Sequence, residues 1–119
     1  MPKAERETPS PIRKEEALKR LGGDEEFLRE LLDLYASEFE KNAARLEAAL
    51  AGSDFKALRE LGHTVKGASA NLSLPALQAA ALDMEHAGRD CAAGAARVAL
   101  VRLRKEFARL QASRAGLFT

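Results

Sequence analysis

Four short breaks divide this 119-residue sequence into stretches that have the period of helices and of nothing else. The breaks are Gly22-Gly23, Gly52-Ser53, Ser73-Leu74-Pro75 and Ala92-Ala93-Gly94, all residues that interrupt or start helices. Between them the apolar residues recur at intervals of three and four. Phe27, Leu28, Leu31, Leu32, Tyr35, Phe39, Leu46 and Leu50 form one stripe, and Leu77, Ala81, Met84 and Cys91 another. Ala96, Leu100, Leu103, Phe107 and Leu110 form a further one. Asp24 suits the N-cap of the second helix, with Glu25 and Glu26 in its first turn, where the helix dipole favours them. Gly52 reads as the C′ residue of that helix and Ser53 as the next N-cap, and Pro75 falls in the first turn of a fourth helix. The pattern predicts an all-α protein: an antiparallel four-helix bundle preceded by a short helix from Lys14 to Leu21. Residues 1–12, with three of the four prolines, read as a flexible tail, and 13–116 as a single domain.

Composition narrows the function class. Hydrophobic residues make up 46% and aromatic residues 5%, which suits helices packed through Ala and Leu better than a β-sandwich. The formal net charge of +1 gives no reason to expect nucleic acid as a partner. Residues 15–60 carry 12 acidic and 7 basic side chains, whereas 97–114 carry 6 basic and one acidic; the reading is of helices neutralising each other within the bundle. No long apolar run points to a membrane, and the single cysteine, Cys91, suits a reducing compartment, so the cytoplasm is expected. Cys91 itself is expected as small core filler.

The third helix, about Asp54 to Leu72, carries the chemistry. At about 100° per residue, Leu58, Leu61, Val65, Ala68 and Leu72 converge on one face, and His63 lies opposite its middle. Lys66 and Gly67 follow one turn later on the face of His63, and Ala70 a turn beyond. A helical glycine costs about 1 kcal/mol relative to alanine, and at a solvent-facing position it does not serve the core. What Gly67 and Ala70 give is a clearing beside the imidazole, while Lys66 gives a positive charge within reach of an anion on it. Nucleophile, cation and clearing fit phosphoryl acceptance, which depends mainly on positioning and charge.

The segment Leu61-Gly-His-Thr-Val-Lys-Gly-Ala-Ser-Ala-Asn-Leu72 resembles the signature of histidine phosphotransfer (HPt) domains, and the resemblance covers nearly the whole chain. It implies His63 as the phosphorylated residue, Lys66 as the cation that stabilises the phosphoryl group and Gly67 as the access position. One departure is Ser73, where the family usually has glycine; a slightly different turn is expected there. In similar domains, notably those leading chemotaxis-type kinases, an acid at the position of Glu85 hydrogen-bonds the histidine. Glu85 either accepts from Nδ1–H of His63 or pairs with Arg89 four residues on. Arg89 matches a position where some relatives carry a base near the site; otherwise it is a solvated arginine.

The resemblance implies a phosphotransfer protein without kinase activity of its own. Its partners are a response-regulator receiver domain and a histidine kinase or hybrid kinase. The Mg²⁺ of the transfer is expected on the receiver, and this chain is expected to bind no metal or cofactor. The docking surface is expected around His63 and the leading helix, where Ile12, Ala17, Leu18 and Leu21 have no full core to fill. Competing readings are the phosphorylatable N-terminal domain of a chemotaxis-type kinase and an interaction module without chemistry. A metal-binding bundle has least support, because Glu-x-x-His is not present on two helices and His86 and Cys91 do not share a face.

Overall fold

A computed structural model describes residues 10–118; the expected tail, 1–12, falls largely outside them. Five helices follow: α1 (Lys14–Arg20), α2 (Glu25–Ala51), α3 (Phe55–Asn71), α4 (Pro75–Arg89) and α5 (Ala93–Leu117), with no strand among the described residues. α2 packs on α3, α3 on α4, α4 on α5 and α5 back on α2, so the four long helices close an antiparallel ring, and α1 lies against α2. Side chains of all four fill the centre, among them Leu28, Leu32, Leu46, Leu58, Leu77, Met84, Leu103 and Leu110, each under 2% exposed. Phe39 and Phe107 stack at 4.1 Å between ring centroids, with Tyr35 tilted against both. The basic bias of α5 is spent across the bundle: Arg102 pairs with Asp83, Arg104 with Glu47 and Arg114 with Asp33.

Packing begins earlier than the composition of the N-terminus implied. Pro11 is buried and Ile12 is 2% exposed, and Arg13 N–H donates to the Ser73 carbonyl at 2.9 Å. Ala17 is buried as well, so neither Ile12 nor Ala17 is free for docking. At the other end of the chain, α5 runs to Leu117 and is clasped by α1: Lys14 Nζ donates to the Leu117 carbonyl at 2.6 Å and sits over the Phe118 ring, which Arg29 also covers. Phe27, expected in the α2 stripe, is 44% exposed, because it lies about 100° around the helix from its buried neighbour Leu28 and so points off the core.

The helix ends depart from expectation in one consistent way. α1 to α4 all close with paired 6→1 and 5→2 backbone hydrogen bonds, the Schellman pattern, which needs a left-handed residue just past the helix. Gly22 fills that position after α1, but Ser53, Ser73 and Cys91 fill it after α2, α3 and α4, at φ of 54°, 58° and 51°. Gly52 is therefore the C-cap, one place before the left-handed residue, and Asp54 rather than Ser53 caps α3, accepting from Ala57 N–H. Cys91 is exposed in this turn, not in the core. Ser73 does not alter the turn; it holds a conformation that glycine adopts without strain, with its hydroxyl buried and unpaired. Ser73→Gly should therefore raise stability by about 1–2 kcal/mol, through relief of the left-handed strain and of the unpaired hydroxyl. Chemical denaturation should show a higher midpoint at unchanged slope.

A buried polar chain ties α2 to α3. Ser69 Oγ donates to the Val65 carbonyl at 2.7 Å, so the Tyr35 hydroxyl must donate to Ser69, 2.8 Å away. Burial raises the Tyr35 phenol from 10.0 to about 12. A raised folded value means that the neutral phenol contributes stability in full below pH 10, and that this is lost as pH rises through 12. Wild type should lose roughly 2–3 kcal/mol over that window, two pH units at 1.36 kcal/mol each. Tyr35→Phe should be weaker by about 1 kcal/mol at neutral pH yet flat through the same window, as alkaline denaturation curves would show.

Candidate functional site

α3 presents its two faces differently from the expected phase. Leu58, Gly62, Val65 and Ser69 are buried, whereas Ala68 is exposed and Leu61 only half-buried. The buried stripe is thus rotated by about one residue, because Gly62 lets the α4 backbone come close and Ser69 is hydrogen-bonded to Tyr35 of α2. His63 still projects outward, its side chain 67% exposed. A Cβ added to Gly67 would meet nothing within 4 Å, so the space beside the imidazole is open. Ala70 contributes less to that clearing than expected: it is half-buried, and its carbonyl accepts from Arg20 Nη1 of α1 at 2.6 Å.

Glu85, on α4, joins the group from the adjacent helix. Its Oε2 lies 3.2 Å from His63 Nδ1 and its Oε1 2.7 Å from Lys66 Nζ. The hydrogen bond and charge of Lys66, with a smaller contribution from His63, hold the Glu85 carboxyl below its ordinary value of 4.5, against the opposing effect of burial. The group is therefore a carboxylate throughout the range in which imidazole is neutral. An ionised carboxylate only accepts, so the contact favours the neutral tautomer with its proton on Nδ1, in which the Nε2 lone pair is free.

The other expected residues are placed elsewhere. Arg89 does not pair with Glu85; its guanidinium takes the neighbouring Asp90 in two hydrogen bonds of 2.8 and 3.1 Å, both side chains exposed. Leu18 and Leu21 are half-buried against the core. Leu21 also lines an apolar groove of about 450 Å³ with Leu31, Leu34, Tyr35, Ala68 and Leu72, between α2 and α3. Leu34, 58% exposed in that groove, and Gly62 are not evident as site residues from the apolar periodicity of the sequence. A second interior glycine directly beside His63 was the available signal for Gly62. Among the described residues no group of His, Cys, Asp and Glu side chains gathers as a metal site, and no helix is long and apolar enough to cross a membrane.

The family model of the Hpt domain matches residues 30–113, from the second turn of α2 to near the end of α5. The chain belongs to the Hpt domain family. Comparison with the curated proteins and with the solved structures gives no match. Hpt domains perform histidine phosphotransfer in two-component signalling and interact with kinases and response regulators. In this Hpt domain the matched region includes α3 and α4 entire, and with them the outward histidine and its carboxylate partner.

Proposed function

We propose that this Hpt domain accepts a phosphoryl group on Nε2 of His63 and exchanges it with an aspartate of a response-regulator receiver domain. The observation that carries the reading is the contact of Glu85 with Nδ1, which leaves the exposed Nε2 as the nucleophile. In the forward step the Nε2 lone pair attacks the phosphorus of the receiver's aspartyl phosphate. The N–P bond forms as the P–O bond to the aspartyl carboxyl breaks, and that carboxylate leaves as an anion. The ring keeps its Nδ1 proton and becomes cationic, a charge that Glu85 offsets. Lys66, half-buried and held by Glu85, is one helical turn from the ring and lies where phosphoryl oxygens would meet it. Gly67 leaves room for the partner's active-site loops.

The receiver supplies the Mg²⁺; the Glu85 carboxylate beside His63 is already shared by two basic groups. The docking surface of this domain takes in the ground around His63 and the groove with Leu21, Leu31 and Leu34. A second reading, that the chain is the phosphorylatable N-terminal domain of a chemotaxis-type kinase, draws on the same Glu85–His63 contact; the donor is then a kinase using ATP. Incubation with receivers prephosphorylated by acetyl phosphate, and separately with histidine kinases and ATP, tests both. Acid-labile, base-stable phosphate on the chain is expected, and the productive donor decides between the readings. No label from any donor would leave a bundle that binds without chemistry.

A further inference from the structure

We propose that Gly62 is a positioning residue for the phosphoryl acceptor: by bringing the α3 and α4 backbones into contact, it places the Glu85 carboxylate against His63 Nδ1. A Cβ built on Gly62 would lie 2.6 Å from the Glu85 backbone nitrogen and 3.0 Å from both Glu85 Cα and the Ala81 carbonyl oxygen. These are backbone atoms of a helix, which cannot turn aside as a side chain can. Gly88 does the same from α4, where a Cβ would stand 2.4 Å from the Arg59 nitrogen and 2.7 Å from the Phe55 oxygen. Each helix thus sets one glycine against the other's backbone, and Gly62 is the one that meets Glu85 itself.

The margin is small. Ordinary non-bonded contact begins near 3.5 Å, so a methyl at position 62 must part the helices locally by about 1 Å. The contact from Nδ1 to Oε2 is already 3.2 Å, and the same displacement carries it beyond hydrogen-bonding distance. The ring then loses the acceptor that fixes its proton on Nδ1. This inference rests on the reading of Glu85 as the orienting partner of His63.

The test is ¹⁵N NMR of the His63 ring beside the rate of transfer from a phosphorylated receiver, for Gly62→Ala, Glu85→Ala, the double variant and Glu85→Asp. In Gly62→Ala the neutral ring should shift from Nδ1–H towards a mixture of tautomers, and transfer should slow by about 10-fold or more. In the Glu85→Ala background the same glycine change should add little further loss, because the two act through one contact. Glu85→Asp leaves the helix crossing intact and withdraws the carboxylate by one methylene, so it should reproduce the tautomer shift even if Gly62→Ala does not fold. A wild-type tautomer in Gly62→Ala, additive losses in the double variant, or wild-type behaviour in Glu85→Asp would overturn the proposal. Absence of labelling in the wild-type chain would count against phosphotransfer, while the tautomer spectra, which need no phosphate, would still judge Gly62.

Discussion

His63→Gln should remove all acid-labile phosphate from the chain while leaving its unfolding curve almost unchanged. The amide of glutamine has no free nitrogen lone pair to attack phosphorus, so the loss of labelling should be complete rather than partial. The fold has little stake in the ring, which is 67% exposed and whose polar partner among the described residues is Glu85; that carboxylate keeps Lys66 when the ring is gone. Stability should therefore move by no more than about 0.5 kcal/mol, as for surface positions generally. His86→Gln is the matched control: the residue is exposed on α4, next in sequence to Glu85, and should label as wild type does. Label that survives in His63→Gln and disappears in His86→Gln would move the acceptor to α4.

Gly67→Gln should separate stability from activity, with opposite signs. In a helix interior glycine costs about 1 kcal/mol relative to alanine, and glutamine is among the better helix formers, so the variant should be more stable by roughly 0.5–1 kcal/mol. Nothing opposes the gain, because a Cβ at this position meets no atom within 4 Å. The same side chain would stand in the clearing beside Nε2, through which a receiver must bring its aspartyl phosphate to the ring. A displacement of about 1 Å in such an approach can cost about 10²-fold, and the transfer rate should fall by that order. Higher melting temperature with unimpaired transfer would show that the open space has no part in partner access.

The bundle was legible because its signals are local. Asp24, Pro75 and the apolar spacing of α2 and α5 each specify structure within a few residues, and the family signature fixed on the same helix, α3. What escaped depends on distant packing. The α3 face is rotated by about one residue because Gly62 and Ser69 are buried, and small residues carry little weight in a reading of hydrophobic periodicity. Ile12 sits in a stretch whose composition resembles a tail, yet the bundle end needs it. Cys91 looked apolar by phase, but its turn holds it in a left-handed conformation outside the core. At the site, the outward direction of His63 followed from angle alone. The choice of Glu85 between His63 and Arg89 did not, since it depends on how closely α3 approaches α4 and on Arg89 turning to Asp90.

The clasp of Leu117 and Phe118 by Lys14 and Arg29 brings both ends of the described chain to one pole of the bundle. His63 lies eight residues from the last residue of α3, about 12 Å along the axis from that helix's end, which the Arg13–Ser73 hydrogen bond joins to the same pole. A receiver tethered through either end of the described chain would therefore start from nearly the same anchor point. For linkers of equal length, its effective concentration at the imidazole should be similar whichever end carries it.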